Sequence, residues 1–177
     1  YDFNYEKDNW SIDNKVLLTY GFNKQKANTL KKTDDRIEIT SILGKKINEV
    51  WNYSGYMNFK TQFDKGIDPK DPKNKISHFF SPVFFQFGPG IFWKKHDNFK
   101  INVSPAAPRF VFVHSEFTKN GKSFGVSREE VMLFEFGASL YTYYKFNIMK
   151  NISMENIFLA YANYFNNTKG VDFDYQG

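Results

Sequence analysis

The sequence predicts an all-β protein: an antiparallel transmembrane β-barrel, with about eight strands visible as part of a larger barrel. Three observations lead there. Apolar and polar residues alternate with a period of two over long runs. Short and long connections follow one another in strict turn. Aromatic residues make up 20% of the chain, with 21 Phe and 11 Tyr, and aromatic and β-branched side chains fit a pleated surface.

Each strand follows from the alternation, which sends successive side chains to opposite faces. Near the start, Trp10, Ile12, Val16, Leu18, Tyr20 and Phe22 share one face and Ser11, Asp13, Lys15, Thr19, Gly21 and Asn23 the other; Asn14 and Leu17 break the pattern. Arg36 to Leu43 reads as a strand with Ile37, Ile39 and Leu43 together. The clearest run is Trp51 to Asp64, where Trp51, Tyr53, Met57, Phe59 and Phe63 alternate with Asn52, Ser54, Asn58, Lys60 and Gln62. Phe79 to Trp93 is apolar on both faces until Gln86, and its Gly88-Pro89-Gly90 predicts a bend or bulge. Phe99, Ile101 and Val103 alternate with Lys100, Asn102 and Ser104; Pro105-Ala106-Ala107-Pro108 then shifts the phase, so that Arg109, Val111 and Val113 lie opposite Phe110 and Phe112. From Val131 to Phe146, Met132, Phe134, Phe136, Leu140, Tyr144 and Phe146 oppose Glu135, Ser139, Tyr141, Tyr143 and Lys145. Ile157, Leu159 and Tyr161, opposite Asn156, Ala160 and Ala162, give a seventh strand, and Val171 to Tyr175 begins an eighth.

The connections sort by length. Short links are predicted at Gly44-Lys45-Lys46, Lys95-His96-Asp97 and Asn147 to Asn151. Longer polar links are predicted at Lys24 to Asp35, Lys65 to Lys75 and Ser115 to Glu129. Outer-membrane barrels have tight turns at one rim and longer loops at the other. Several strands pass ten residues, beyond the roughly five or six of soluble strands and matching the about nine to eleven that a tilted span needs.

Composition removes other classes. The mean hydropathy is −0.56 and no run nears 18 apolar residues, which rules out a helical span but not a strand-built one. The net charge is +5, yet the bases are mixed with acids rather than gathered in a stripe, so no nucleic-acid partner is expected. With no cysteine, disulfides and thiolate metal sites are excluded. His78, His96 and His114 fall at strand ends or turns without metal-ligand spacing. Asn120-Gly121-Lys122-Ser123 resembles the tail of a phosphate loop, but Glu116 replaces the leading glycine and no helix follows, so it reads as a turn. Asp68-Pro69-Lys70-Asp71-Pro72 reads as a rigid solvated loop rather than a calcium site. No catalytic, cofactor-binding or metal-binding residues are therefore predicted, and no cofactor. Lys15, Glu38, Lys60, Arg109, Glu135 and Lys145 are expected to face the lumen, either lining a pore or pairing across a filled interior. Trp51, Tyr53, Phe63, Tyr144 and Phe146 are expected to form a lipid-facing aromatic girdle. A soluble lipocalin-like barrel, the competing reading, would place the aromatics around an internal cavity instead.

Several runs, in order, carry a family resemblance: Lys31-Lys32-Thr33-Asp34-Asp35-Arg36-Ile37-Glu38, Asn58-Phe59-Lys60-Thr61-Gln62-Phe63, Ile76-Ser77-His78-Phe79-Phe80-Ser81-Pro82, Ser104-Pro105, Phe124-Gly125-Val126, Glu135-Phe136-Gly137-Ala138, Met149-Lys150-Asn151-Ile152 and Asn163-Tyr164-Phe165-Asn166-Asn167. Together they resemble the domain-of-unknown-function 3078 family, over roughly Trp10 to Tyr175. The resemblance implies an outer-membrane β-barrel typical of Bacteroidetes; it carries over no activity and no catalytic residues. Pro105 to Pro108 departs from the family pattern. Residues 1–177 are expected to be a single outer-membrane β-barrel domain, incomplete at both ends. The function expected is that of a non-enzymatic subunit of a larger outer-membrane transport, secretion or membrane-protein-assembly complex, with outer-membrane lipid and other envelope proteins as partners. A passive pore for small solutes is the alternative.

Overall fold

The computed structural model describes residues 1–23, 31–67, 75–165 and 170–177. In chain order its strands are β1 (Asp2–Lys7), β2 (Trp10–Asn23), β3 (Lys31–Lys46), β4 (Trp51–Thr61), β5 (Gly66–Ile67), β6 (Lys75–Ser77), β7 (Val83–His96), β8 (Phe99–Phe112), β9 (Met132–Met149), β10 (Ile152–Asn163) and β11 (Val171–Gln176); one short helix, α1 (Ser115–Thr118), lies between β8 and β9. Nine of the strands make a single sheet in the order β1-β2-β3-β4-β7-β8-β9-β10-β11. Every neighbouring pair is antiparallel. The sheet is not closed: β1 and β11 are its two edges.

The fold is all-β and antiparallel, and its main sheet has one more strand than the alternation predicts. The addition is β1, where Phe3 and Tyr5 alternate with Asp2, Asn4 and Glu6 over only six residues. Asp8, at φ 54°, and Asn9 turn it into β2; a short polar residue tolerates this left-handed conformation. Other boundaries also move. β3 runs on through Lys46, and the first short link falls at 47–50 instead of Gly44-Lys45-Lys46. There Asn48 Oδ1 accepts from the amides of Val50 and Trp51. β7 begins at Val83, leaving Phe79 and Phe80 in a turn. The link after β4 holds the β5–β6 hairpin, which no sequence pattern announced.

Because consecutive main-sheet strands are neighbours, links alternate between two ends. Asp8-Asn9, 47–50, Asp97-Asn98 and Lys150-Asn151 gather at one, the turn end. The connections after β2, β4, β8 and β10 leave from the other.

The phase shift near Pro105 is a bulge in β8. Ser104 pairs with Ser139 and Ala107 with Gly137, so β8 holds one residue more than β9 there; the register to β7 shifts at the same place, between Gln86 and Ile91. Prolines 105 and 108, which cannot donate to a ladder, are accommodated at such an irregularity. The bend thus originates in β8, and the glycines of β7 make room for it. A Cβ at Gly88 would stand 3.0 Å from Ala107 Cα. Tyr161 and Tyr164 hydroxyls donate to the carbonyls of Ala107 and Pro105, at 3.1 and 2.7 Å, which replaces backbone pairing lost at the bulge.

Side chains on one face meet across the sheet, which shows that the sheet curls around that face. Lys15 on β2 reaches Glu155 on β10 at 2.9 Å, and Arg36 on β3 reaches Asp174 on β11 at 3.3 Å. Inside this concave face lie the polar positions of each alternating run; outside it lie Phe134, Phe59 and Leu140. β10 departs from the simple assignment. Its Ile157 and Tyr161 are buried within, alongside Glu155, while Phe158 and Ala160 take the outer face. The reason lies in what fills the interior.

Candidate functional site

The concave face is organised as two charged layers separated by rings. Toward the turn end, Asp13 accepts from Lys94 at 3.1 Å and from Lys100 at 2.5 Å. Beside it, Glu155 accepts from both Lys15 and Lys145 at 2.9 Å, and Lys15 also pairs with Asp2. Toward the long-link end, Arg109 bridges Glu135 and Asp172, while Asp174 pairs with Arg36 and Lys60. Glu38 accepts from Asn58 and Gln176, each at 2.9 Å. Arg109 also stacks on Tyr161, 4.0 Å from its ring centre. Of this network, Lys15, Lys60, Arg109 and Lys145 were predicted as interior residues, together with Glu38 and Glu135. Its counter-charges Asp172, Asp174 and Glu155 were equally legible, since they alternate with Phe173, Tyr175 and Met154, but the runs that hold them are short.

Between the layers, Ile42, Tyr56, Phe92, Tyr141, Tyr143 and Ile157 pack into one cluster, with Leu159 against it. Phe92 is fully buried, worth roughly 1.5–3 kcal/mol by area alone. A cavity of about 240 Å³ at the turn end is lined by Asp13, Lys15, Lys100, Tyr141 and Tyr143. Another, of about 210 Å³, is lined by Tyr56, Lys60, Arg109, Leu159 and Asp174. Cluster residues line both, so the aromatic layer stands between them. Ser54 Oγ donates to Asn102 at 2.6 Å beside this layer. Ser139 Oγ, facing the second cavity, is the sole buried side-chain polar atom without a partner among the described residues.

The six predicted interior residues therefore divide. Lys15 and Lys145 meet on Glu155; Arg109 and Glu135 meet directly; Glu38 and Lys60 are joined through β11. The pairing leaves the interior filled rather than lined with free charge.

The convex face follows a different rule. Apart from Asp35, opposite Tyr20 and paired with Lys32, its described positions between the strand ends carry no charged side chain, yet it is exposed: Phe134 at 46%, Val103 at 46% and Tyr53 at 62%. All three tryptophans, Trp10, Trp51 and Trp93, lie on it at the turn end, with Trp51 paired to Trp93 and Trp93 packed on Phe99. Tyr144 and Phe146 continue this row, stacked at 5.2 Å. Phe63 sits at the opposite end, against Tyr20, which also packs on Phe22. The predicted girdle residues are thus all on the outer side, in two rows rather than one.

Two turn carboxyls are tuned by local donors. Hydrogen bonding from Lys94 holds Asp97 below the usual carboxylate range. The Lys65 amide, at 2.7 Å, does the same to Asp64.

At the long-link end, the fold also gathers His78, His114 and Glu116. Their 36-residue separation in sequence gave no ligand spacing; the Ser81 turn brings them together. The Asp68 to Pro72 segment lies outside the described residues.

Fold and interior together define an antiparallel all-β protein, one curled sheet around an ion-paired core. The model of the family described as "Protein of unknown function (DUF3078)" matches residues 1–67, the family that the motif order resembles. A search of curated proteins and a search of solved structures each gave no match.

Proposed function

We propose that this sheet is an integral β-barrel of a bacterial outer membrane, with a filled interior, acting as a non-enzymatic subunit of a larger outer-membrane transport, secretion or membrane-protein-assembly complex. The observation that carries the reading is the exposed aromatic convex face, uncharged over most of its height, set against an ion-paired concave one. A lipocalin-like soluble barrel inverts that arrangement. From Ile12 to Phe22 the outward positions of β2 extend about 33 Å at a rise of about 3.3 Å per residue. At an ordinary tilt near 40° this projects to about 25 Å, the height of an outer-membrane apolar band. Lipid offers no hydrogen-bond partners, so in a membrane the β1 and β11 edges pair, with each other or through added strands.

The filled interior favours a partner-binding role over a conduit. Its carboxylates are held by cations, and its aromatic layer closes the middle. The described residues of the connections opposite the tight turns supply the partner surface. Membrane-extracted protein should show heat-modifiable migration on a denaturing gel and should bring down stoichiometric partners from mild detergent. In planar bilayers the folded protein should be silent, and a Tyr56→Ala/Tyr141→Ala variant should conduct. A water-soluble monomer sinks the membrane reading; steady conductance by the unaltered protein moves the function to a passive pore.

A further inference from the structure

We propose that His78, His114 and Glu116 bind one divalent transition-metal ion of the zinc class at the long-link end of the sheet. One ring nitrogen from each histidine and one carboxylate oxygen of Glu116 lie within 4.8 Å of one another. His78 Nε2 and Glu116 Oε1 are 3.5 Å apart, about the separation of two donors on a tetrahedral zinc with bonds of ~2.0–2.2 Å. Small side-chain rotations bring the third donor in.

The histidines are prepared as ligands. His78 Nδ1 lies 2.6 Å from the Phe79 carbonyl oxygen. That oxygen only accepts, so Nδ1 carries the hydrogen, and the neutral ring keeps its lone pair on Nε2, toward Glu116. His114 Nδ1 accepts from the Glu116 amide at 3.4 Å, so its lone pair lies on Nδ1, and a metal ion at that nitrogen would replace this long bond.

The scaffold beneath them is already fixed. His78 and Ser81 exchange backbone hydrogen bonds of 3.0 and 2.9 Å, and Ser81 Oγ accepts from the His114 amide at 2.9 Å. Packing of the His78 ring on Phe117 and His114, at 5.1 and 5.2 Å, sets its orientation. One serine thus holds both ligand-bearing segments in place.

Two imidazoles with one carboxylate suit zinc, copper or nickel, whereas magnesium and calcium take all-oxygen sets. Three protein donors leave a position for water. The ion ties link 62–82 to link 113–131, so it fastens two of the long links to each other. This assignment holds whether or not the sheet spans a membrane.

Isothermal titration of ZnCl2 into the folded chain in detergent tests it. The expected result is saturable binding of one ion per chain and no heat with MgCl2. H78N and H114N should each weaken binding at least about tenfold, while H96N, at the turn end, leaves it unchanged. CoCl2 added to the unaltered protein should give the visible bands of four- or five-coordinate cobalt, which needs no variant to fold. Absence of saturable zinc binding, unaltered affinity in H78N, or only the spectrum of hydrated cobalt overturns the proposal.

Discussion

The two faces of the sheet are built on opposite rules, and three consecutive residues of β8 show it. Asn102 and Ser104 are wholly buried and hydrogen-bonded, while Val103 between them is 46% exposed. In a water-soluble sheet the polar pair would face solvent and the valine a core. Here the protein hides its polarity and displays its hydrocarbon. Ordinary folding rules are still obeyed inside, because buried polar side chains, Ser139 apart, are satisfied by partners; what differs is the outside.

The sharpest way to break the comparison is to remove a concave charge. Asp13→Ala leaves Lys94 and Lys100 without their common partner, and the expected loss is about 3–5 kcal/mol in urea unfolding. A loss below about 1 kcal/mol would mean that the interior is wet and the pairs cosmetic. Next comes a charge on the convex face. Val103→Arg should cost about 2–4 kcal/mol in lipid vesicles if that face meets hydrocarbon, whereas a water-facing position would accept the arginine with almost no effect. Smaller still is the turn-end pair of Glu6 and Lys46, both well exposed. Glu6→Gln should change stability by less than about 1 kcal/mol, and a larger change would show that the turn end is less solvated than its exposure indicates.

Asp97 gives the mildest effect, visible only as a slope. Its folded-state carboxyl titrates below the ordinary value because Lys94 bonds the charged form. That contribution is therefore complete at neutral pH. It disappears as pH falls from about 3.9, the unfolded value, through the lower folded one. Unfolding of Asp97→Asn followed across this range should show a flatter acid limb than the parent protein; identical limbs would remove Asp97 from the account.

Period-two alternation made the faces legible from the sequence because each strand repeats the rule for many residues. Where the run was short, as in Asp2 to Lys7, the signal did not rise above chance. Where the interior itself turns apolar, as at Ile157 and Leu159, a greasy side chain no longer marks the outside. The β8 bulge was half legible: the proline and alanine run shifted the phase, but its closeness to Gly88 and Gly137 is a matter of register between strands. The interior charges were readable one by one, although not which of them meet, since partners come from strands up to 140 residues apart. His78 and His114 were visible only as isolated turn residues, because their meeting depends on the Ser81 turn.

The placement of every indole in one row has a practical reach. The protein's intrinsic fluorescence comes chiefly from a single end of the sheet, so under the proposed membrane reading brominated phospholipids carrying the halogen at graded depths along the acyl chain would read one leaflet alone. Quenching strongest near the headgroups, with a blue-shifted emission, would give the insertion depth of that end. Added from one side of a sealed vesicle, a soluble quencher would then report which way the sheet entered.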